Sequence, residues 1–517
     1  MHKKKEKAAL FIPPVYDQIN PPLGTPVLSG FLKSKGIDVF QEDLNIRYFS
    51  YIEKNKLERI FTSKYKKGKI RKKIYYYRIL QYEGAPSSLR YTFERNPGSS
   101  FAFTEKMLSS KFLHRYIADR KENPFVNFFL KEVRPTVEKQ NFSIAGFSII
   151  CPSQVIATFT LGYLIKKYFP NLKVVIGGQW VSLYREELQK RKDFNNFFDY
   201  IIYFEGETPL FTLINTVRDN GPLSSVPNLI YQDGADWKFS DRVTEEDMNK
   251  LPTPDFDGLN LEKYKDSKYQ MTLTYETSRG CYWDKCRFCV DLPLPKHRYR
   301  EKSPDLVIRD IKNLIKKYHV KQLVISDAVF APTQMKRVAK AILKEKIKVI
   351  WWALTRLDDA MDRETLTLAK KSGCKLLAFG LESINQRVLD FINKGTKAEV
   401  IKRIIKDSQD LKLKILCQVV IGLPSESPKE AFETIFFLYS YWKKMKFDPA
   451  IFNIYYQVPK NKIFLNPEQY GLKIIYDKRL PFRYFYPYKH ISGGINRREA
   501  IKIIKFYRDL VALRRGV

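Results

Sequence analysis

Three cysteines fall within nine residues in the segment Arg279-Gly-Cys281-Tyr-Trp-Asp-Lys-Cys286-Arg-Phe-Cys289. Thiolates bind soft metals, zinc and iron-sulfur clusters. A structural zinc site closes its shell with four ligands. No fourth Cys or His is close in sequence: the nearest candidate is His297, in a Pro-Lys-His-Arg stretch. Three thiolates from one short loop can instead reach three irons of a cubane and leave the fourth iron open to a small molecule. The spacing C-x4-C-x2-C therefore points to Cys281, Cys286 and Cys289 as ligands of an oxygen-sensitive [4Fe-4S] cluster, with zinc as the alternative. The remaining cysteines, Cys151, Cys374 and Cys417, lie in apolar strand-like or helix-terminal contexts. Six cysteines in 517 residues do not form a disulfide framework, which fits a reducing compartment.

The elements that must carry this loop alternate between strand and helix. Strands are expected at 8–14 and 37–40, with a helix at 25–35 between them, the opening of an α/β unit with a parallel sheet. Residues 48–140 break the rhythm. They are rich in Lys, Arg, Tyr and Phe, contain the densest basic run (64–73), and are expected to be a mostly helical insertion. The rhythm resumes with strands at 142–150, 173–176 and 200–203, helices at 154–168, 186–192 and 208–219, and a hairpin within 222–239. A Pro-rich stretch, Leu251-Pro-Thr-Pro-Asp-Phe256, reads as a stiff linker. Beyond it, strands are expected at 271–277, 322–326, 349–353, 376–380, 415–421 and 451–456 with helices between them. That succession predicts a full or partial parallel barrel with its chemistry at the C-terminal strand ends. The cysteine loop follows the first of these strands. The expected division is 1–250 as a doubly wound α/β domain with the insertion at 48–140, 251–266 as linker, 267–495 as barrel, and 496–517 as a basic C-terminal helix.

Composition limits the function classes. Hydrophobic residues make up 44% of the chain and aromatics 14%, enough for more than one core. Lys and Arg number 91 against 56 Asp and Glu, a formal charge of +35. Such a surplus attracts phosphates, anionic lipid headgroups or acidic partners, although a solvated basic surface explains it equally well. No stretch approaches the roughly 20 apolar residues of a membrane span. The basic N-terminus leads into a short apolar run ending in two prolines, a buried strand rather than a signal peptide. A cytoplasmic protein is expected, with membrane association through basic patches compatible with the charge.

The Arg-Gly-Cys-Tyr-Trp-x-x-Cys-x-Phe-Cys segment resembles the radical S-adenosylmethionine superfamily, with one residue more in the first gap than most members have. The resemblance extends over about 270–458. It implies that Ser326 and Asp327 lie near the methionine amine of S-adenosylmethionine, and that Arg356 ends the next strand. It also implies that Glu382 and Ser383 of Phe379-Gly-Leu-Glu-Ser383 form a strand end facing the cofactor, with Asn393-Lys-Gly395 after it. Gly422 and Pro424 of Ile421-Gly-Leu-Pro424 would pack on adenine. Outside the insertion, the first 235 residues are similar to the cobalamin-binding domain that precedes such barrels in one branch of the superfamily. Pro22, Gly24, Ser148, Gly177, Gly178, Glu205, Gly206 and Glu207 would line the cobalamin. All sit at expected strand ends, where open α/β sheets bind ligands, and the glycines would allow a flat ring to approach. No histidine occurs between His2 and His114, so no loop histidine after the first strand can ligate cobalt from below.

By resemblance, a cluster-derived electron would split S-adenosylmethionine into methionine and a 5′-deoxyadenosyl radical that abstracts hydrogen from substrate. The implied reaction is cobalamin-dependent methylation of an unactivated carbon. The alternatives are oxidation, cyclisation or rearrangement with the same cofactors, and, less favoured, an RNA-modifying or polyanion-binding enzyme. The substrate would be a small molecule, lipid or peptide. The electron donor would be a ferredoxin or flavodoxin.

Overall fold

The computed structural model describes residues 6–16, 20–55, 106–109, 111–264, 271–290, 299–442 and 450–515. The basic run at 64–73, His297 and most of the expected insertion lie outside them. The rhythm breaks later than expected: residues 44–54 are still a regular helix, and the described part of 106–139 is helical.

The first strand is apolar along its length, as a strand covered on both faces must be. Ala8 to Ile12 are at most 2% exposed. It forms β1 (Lys7–Ile12), an interior strand of a seven-stranded sheet with β2 (Asp38–Asp43), β3 (Ile144–Ser148), β4 (Lys173–Gly177), β5 (Tyr200–Ile202), β6 (Leu229–Asp233) and β7 (Asp236–Phe239). The order is β2-β1-β3-β4-β5-β6-β7. Pairings up to β5 are parallel, and β6 and β7 add the antiparallel hairpin expected within 222–239. Helices α1 (Gly24–Ser34), α2 (Leu44–Lys54), α3 (Val155–Tyr168) and α4 (Glu207–Arg218) cross over between strands.

The second sheet is wholly parallel. It consists of β8 (Thr272–Tyr275), β11 (Gln322–Ile325), β12 (Ile350–Arg356), β13 (Cys374–Glu382), β14 (Ile415–Ile421) and β15 (Ala450–Ile454), in the order β15-β14-β13-β12-β11-β8. The numbers between belong to a small antiparallel pair, β9 (Ser278–Arg279) and β10 (Arg300–Glu301). No pairing joins β8 to β15 among the described residues, so the sheet is a partial barrel. Burial alternates with the pleat: Ile415, Cys417, Val419 and Ile421 of β14 are buried, while Leu416, Gln418 and Val420 are half-buried. One face is therefore sealed under helices and the other lines an open interior. The sealing helices include α5 (Pro304–Tyr318), α6 (Pro332–Lys344), α7 (Arg363–Lys371), α8 (Ala398–Asp410) and α9 (Pro428–Trp442). Cys374 and Cys417 are buried in this sheet, and burial pushes the Cys417 thiol up to about 12.

The tertiary structure adds two ties between the domains. The stiff Pro-rich linker is fastened to both of them. Asp255 accepts hydrogen bonds from Lys33 of α1 (2.5 Å), Lys317 of α5 (2.8 Å) and Tyr318 (2.8 Å). The C-terminal stretch does not stay within one domain. Phe482 leaves the barrel to pack in the N-terminal core, 5.8 Å from Trp180 and 6.0 Å from Phe194 between ring centres. The last helix, α10 (Arg497–Arg515), returns to the barrel and buries Ile503, Ile504, Tyr507 and Val511.

Candidate functional site

A parallel sheet puts every strand's carboxyl end on one edge. Tyr275, Ile325, Arg356, Glu382 and Ile421 end their strands there, and the cysteine loop leaves that edge after β8. The loop is held from below at several points. Thr277 and Ser278 give hydrogen bonds to the fully buried carboxylate of Asp327. The Trp283 indole donates to the carbonyl of Asn393 (2.8 Å). Asn393 donates to the carbonyl of Lys285 (3.1 Å), and the backbone amide of Arg287 to Ile392 (2.9 Å). Gly395 makes room for Trp283: its φ is +68°, and a Cβ there would stand 2.0 Å from an indole ring carbon. Behind the loop, Asn461 donates to the carbonyl of Phe288 (2.9 Å), and Ile463 to that of Arg287 (3.2 Å).

Around the thiols the charges are positive. Arg356 is buried, with Nη1 3.7 Å from Cys286 Sγ and its second nitrogen bonded to the carbonyl of Lys394. Lys394 Nζ pairs with Glu382 Oε1 at 2.8 Å. Burial pushes the Cys286 thiol up, while Lys394 and Arg356 pull it back. Cys281 and Cys286 are half-buried and Cys289 is exposed, and none is in a disulfide. Among the described residues, no three His, Cys, Asp or Glu side chains converge on a single point as the ligands of one ion would. A cubane asks for something different, one thiolate per iron, spread over three corners. Three thiols on one pinned loop, with Arg356 and Lys394 beside Cys286 to balance thiolate charge, fit that group better than zinc.

The expected cofactor residues separate into two groups. Arg356 and Glu382 stand beside the cysteine loop. Glu382 adopts φ +61° at a bulge in the β13–β14 pairing, a strained position for a non-glycine residue. Lys394, which the resemblance touched only as part of Asn393-Lys-Gly395, completes this group. Ser326 is exposed at the sheet edge, with its hydroxyl on the Tyr275 carbonyl. The others point elsewhere. Both oxygens of Asp327 are taken by the loop, and burial pushes its carboxyl up to about 6. Asp327 therefore positions the loop and cannot face a ligand. Ser383 is buried against Thr434 (3.2 Å) and caps Asn385. Gly422 and Pro424 are buried, and a Cβ on Gly422 would stand 3.4 Å from the Ile495 carbonyl. Glu426, missed in the sequence, shapes that turn by accepting from the amides of Gly422 (2.6 Å) and Leu423 (3.3 Å). Its signal was a lone acid two residues beyond Pro424.

On the N-terminal side, Pro22, Gly24, Ser148, Gly177 and Gly178 gather at the carboxyl edge of the first sheet. Gly178 has φ +102°, and a Cβ there would meet the Ile149 carbonyl at 2.5 Å. Gly24 lies against Ser148, with 3.1 Å between a built Cβ and the hydroxyl. These glycines let the strand-end turns of the first sheet pack closely on one another, since a Cβ on any of them would press on neighbouring protein atoms. Glu205 and Glu207 do not belong to that edge as ligands. Arg279 binds Glu205 (3.0 Å), Glu207 (2.5 Å) and Glu276 (2.6 Å), and Arg300 adds a second contact to Glu205 (2.8 Å). Burial alone would push the Glu205 carboxyl up, but the two guanidiniums hold it below its ordinary value. Gly206 lies between the two clamped acids. Thr274 of β8 also donates to the carbonyl of Pro21 (3.0 Å). The carboxyl edges of the two sheets therefore meet, and the arginine two residues before Cys281 joins them.

Comparison with known proteins agrees with this geometry. Residues 275–438 match the family model of the Radical SAM superfamily. An uncharacterized methyltransferase of Pyrococcus horikoshii is 25% identical over 336 residues, 64% of this chain and 71% of that protein. An anaerobic magnesium-protoporphyrin IX monomethyl ester cyclase of Rubrivivax gelatinosus is 27% identical over 314 residues, 59% of this chain but only 55% of the cyclase. The fold resembles the radical S-adenosylmethionine methyltransferase TsrM of Kitasatospora setae, at TM-score 0.62 over 98% of this chain and 91% of TsrM, with 14% identity. It resembles the cobalamin-dependent radical enzyme OxsB at TM-score 0.66 over 98% of this chain and 67% of OxsB, with 15% identity. With its cysteine loop seated at the carboxyl edge of the six-stranded sheet, the chain carries its match to the Radical SAM superfamily in the sheet that bears that loop, over residues 275–438.

Proposed function

We propose that the protein is a cobalamin-dependent radical S-adenosylmethionine methyltransferase acting on an unactivated carbon. The observation that carries this reading is the meeting of two ligand edges, the cysteine loop of the second sheet and the glycine-lined edge of the first, through Arg279 and Glu205. Cys281, Cys286 and Cys289 would hold the cluster. When bound, the cluster and cobalamin supply one-electron cleavage of the sulfonium and methyl transfer. The chain supplies position and charge. Arg356 and Lys394 offset the thiolates, Glu382 holds Lys394, and the sealed back of the sheet keeps water to the mouth. The similarity to a cyclase supports a second reading, oxidation or cyclisation without methyl transfer.

The test is anaerobic purification from cells supplied with iron and cobalamin, followed by counts of iron, sulfide, cobalt and zinc. The reading expects about four irons and about one cobalt per chain. It also expects S-adenosylhomocysteine together with 5′-deoxyadenosine on incubation with S-adenosylmethionine and reductant. 5′-Deoxyadenosine alone would favour the second reading. Iron without cobalt after reconstitution would remove methylation through cobalamin. Zinc in place of iron would overturn both.

A further inference from the structure

β12 ends at Arg356, and the turn that follows it is built on Asp358. One carboxylate oxygen, Oδ1, accepts the backbone amide of Ala360 (3.2 Å), and the Asp358 carbonyl accepts that of Met361 (3.0 Å). Short polar side chains hold turns in this way by bonding their own backbone two residues on. With Oδ1 taken by the turn, Oδ2 is the oxygen left to other elements. It accepts the phenol of Tyr282, the residue after Cys281 and 76 positions away in the sequence. It also lies 3.9 Å from Arg356 Nε. The Asp358 side chain is 18% exposed and that of Arg356 4%, so salt and water screen this pair little.

The other nitrogens of Arg356 are committed to the cysteine loop and its support. Nη1 faces Cys286 Sγ at 3.7 Å, and Nη2 donates to the Lys394 carbonyl. Nε is buried and makes no hydrogen bond among the described residues. Asp358 is the acid that pairs with this guanidinium. The guanidinium also lies 5.1 Å from the centre of the Trp283 ring and 6.0 Å from that of Tyr282. Tyr282 is braced in turn by Tyr299, edge to face at 6.0 Å between ring centres. A single carboxylate oxygen therefore ties the residue beside Cys281 and offsets the cation beside Cys286.

We infer that Asp358 is a positioning residue of the cluster site, acting on Cys281 through Tyr282 and on Cys286 through Arg356. The inference rests on the cluster reading above. Net charge and hydrogen bonds around a cluster set its reduction potential. Asp358 brings one negative charge to that surrounding and cancels part of the charge of Arg356. Its carboxylate makes the site harder to reduce, and its tie to Tyr282 fixes how Cys281 is presented.

The test uses the full chain, reconstituted anaerobically. It reads iron per chain, the EPR spectrum of the reduced protein, and the midpoint potential in a dye-mediated titration. Asp358→Asn keeps an acceptor for Ala360 and Tyr282 but removes the charge. It is expected to retain iron and to raise the midpoint by about 59 mV, a tenfold change in a one-electron equilibrium. Tyr282→Phe keeps the ring and the charge but cuts the tie. It is expected to change the EPR line shape and to lose iron faster than wild type. The control Asp359→Asn makes the same charge change one residue on, at a side chain 79% exposed, and should leave all readouts near wild type. An unchanged midpoint in Asp358→Asn, or an unchanged spectrum in Tyr282→Phe, would overturn the proposal. So would an equal shift in the control. A lowered Tm in Asp358→Asn with midpoint and spectrum unaltered would assign the residue to its turn alone and overturn it likewise. A wild-type protein that takes zinc and no iron would overturn the cluster reading itself, and the role of Asp358 with it.

Discussion

Glu426 shows how a single buried carboxyl can tie stability to pH. It is 0% exposed, one oxygen accepts two backbone amides, and the other has no hydrogen-bond partner among the described residues. Burial pushes its carboxyl from an ordinary 4.5 up to about 8. The folded chain then keeps a proton that the unfolded chain gives up near 4.5. Stability is fully present below that pH and is lost as pH rises towards 8. Glu426→Gln keeps an acceptor for the two amides and removes the titration. Its stability relative to wild type should rise between pH 5 and 8, by on the order of a few kcal/mol at the upper end, read as a growing Tm difference. Flat curves for the pair would show that Glu426 titrates normally. At Gly395 the constraint is steric. Gly395→Ala must displace Trp283, and overpacking of this kind costs about 1–3 kcal/mol. The variant should lose iron during anaerobic purification, whereas the surface change Lys397→Ala should not.

Between elements, the clamp of Arg279 on β9 against Glu205, in the turn after β5, and Glu207, the first residue of α4, joins the cysteine loop to the first sheet. Removing one partner of a buried ion pair leaves the other uncompensated, a cost of about 3–5 kcal/mol. Arg279→Gln should therefore be strongly destabilising above the ordinary carboxylate range. The sign follows from Glu205, whose carboxyl is held low in the fold. Its contribution is present above pH 4.5 and fades as pH falls through its lowered value. The variant and wild type should accordingly converge in urea titrations as pH falls below 4.5 and through the lowered Glu205 value. A difference that stays constant with pH would assign the effect to packing alone.

At the scale of the whole molecule, two cores are linked by Asp255. Burial pushes this carboxyl up, but Lys317 and Lys33 hold it well below the carboxylate range. Its hydrogen bonds run to α1 of one domain and α5 of the other. Asp255→Asn should reduce coupling between the domains, so that calorimetry resolves two transitions where wild type gives one. A single transition in the variant would mean that the Phe482 crossover and the Arg279 clamp suffice for cooperative unfolding.

Much of this arrangement is written in short-range order. The period-two and period-3.6 patterns place nearly every strand of both sheets, because strand burial and helix amphipathicity are local properties of the chain. The C-x4-C-x2-C spacing, together with its position after β8, marks the cysteine loop for the same reason. Roles that depend on where a side chain points across a strand end were not legible. Asp327, Ser383 and Gly422 stand at the expected strand ends but turn into the protein, and Glu205 and Glu207 are taken by arginines distant in sequence. Glu426 and Asp358 escaped notice because each has meaning only through a neighbour: two amides freed at a strand end in one case, a tyrosine of the cysteine loop in the other. Sequence spacing fixes which residues can share a loop. Which charges and hydrogen bonds those residues meet is decided only when non-local surfaces close on each other.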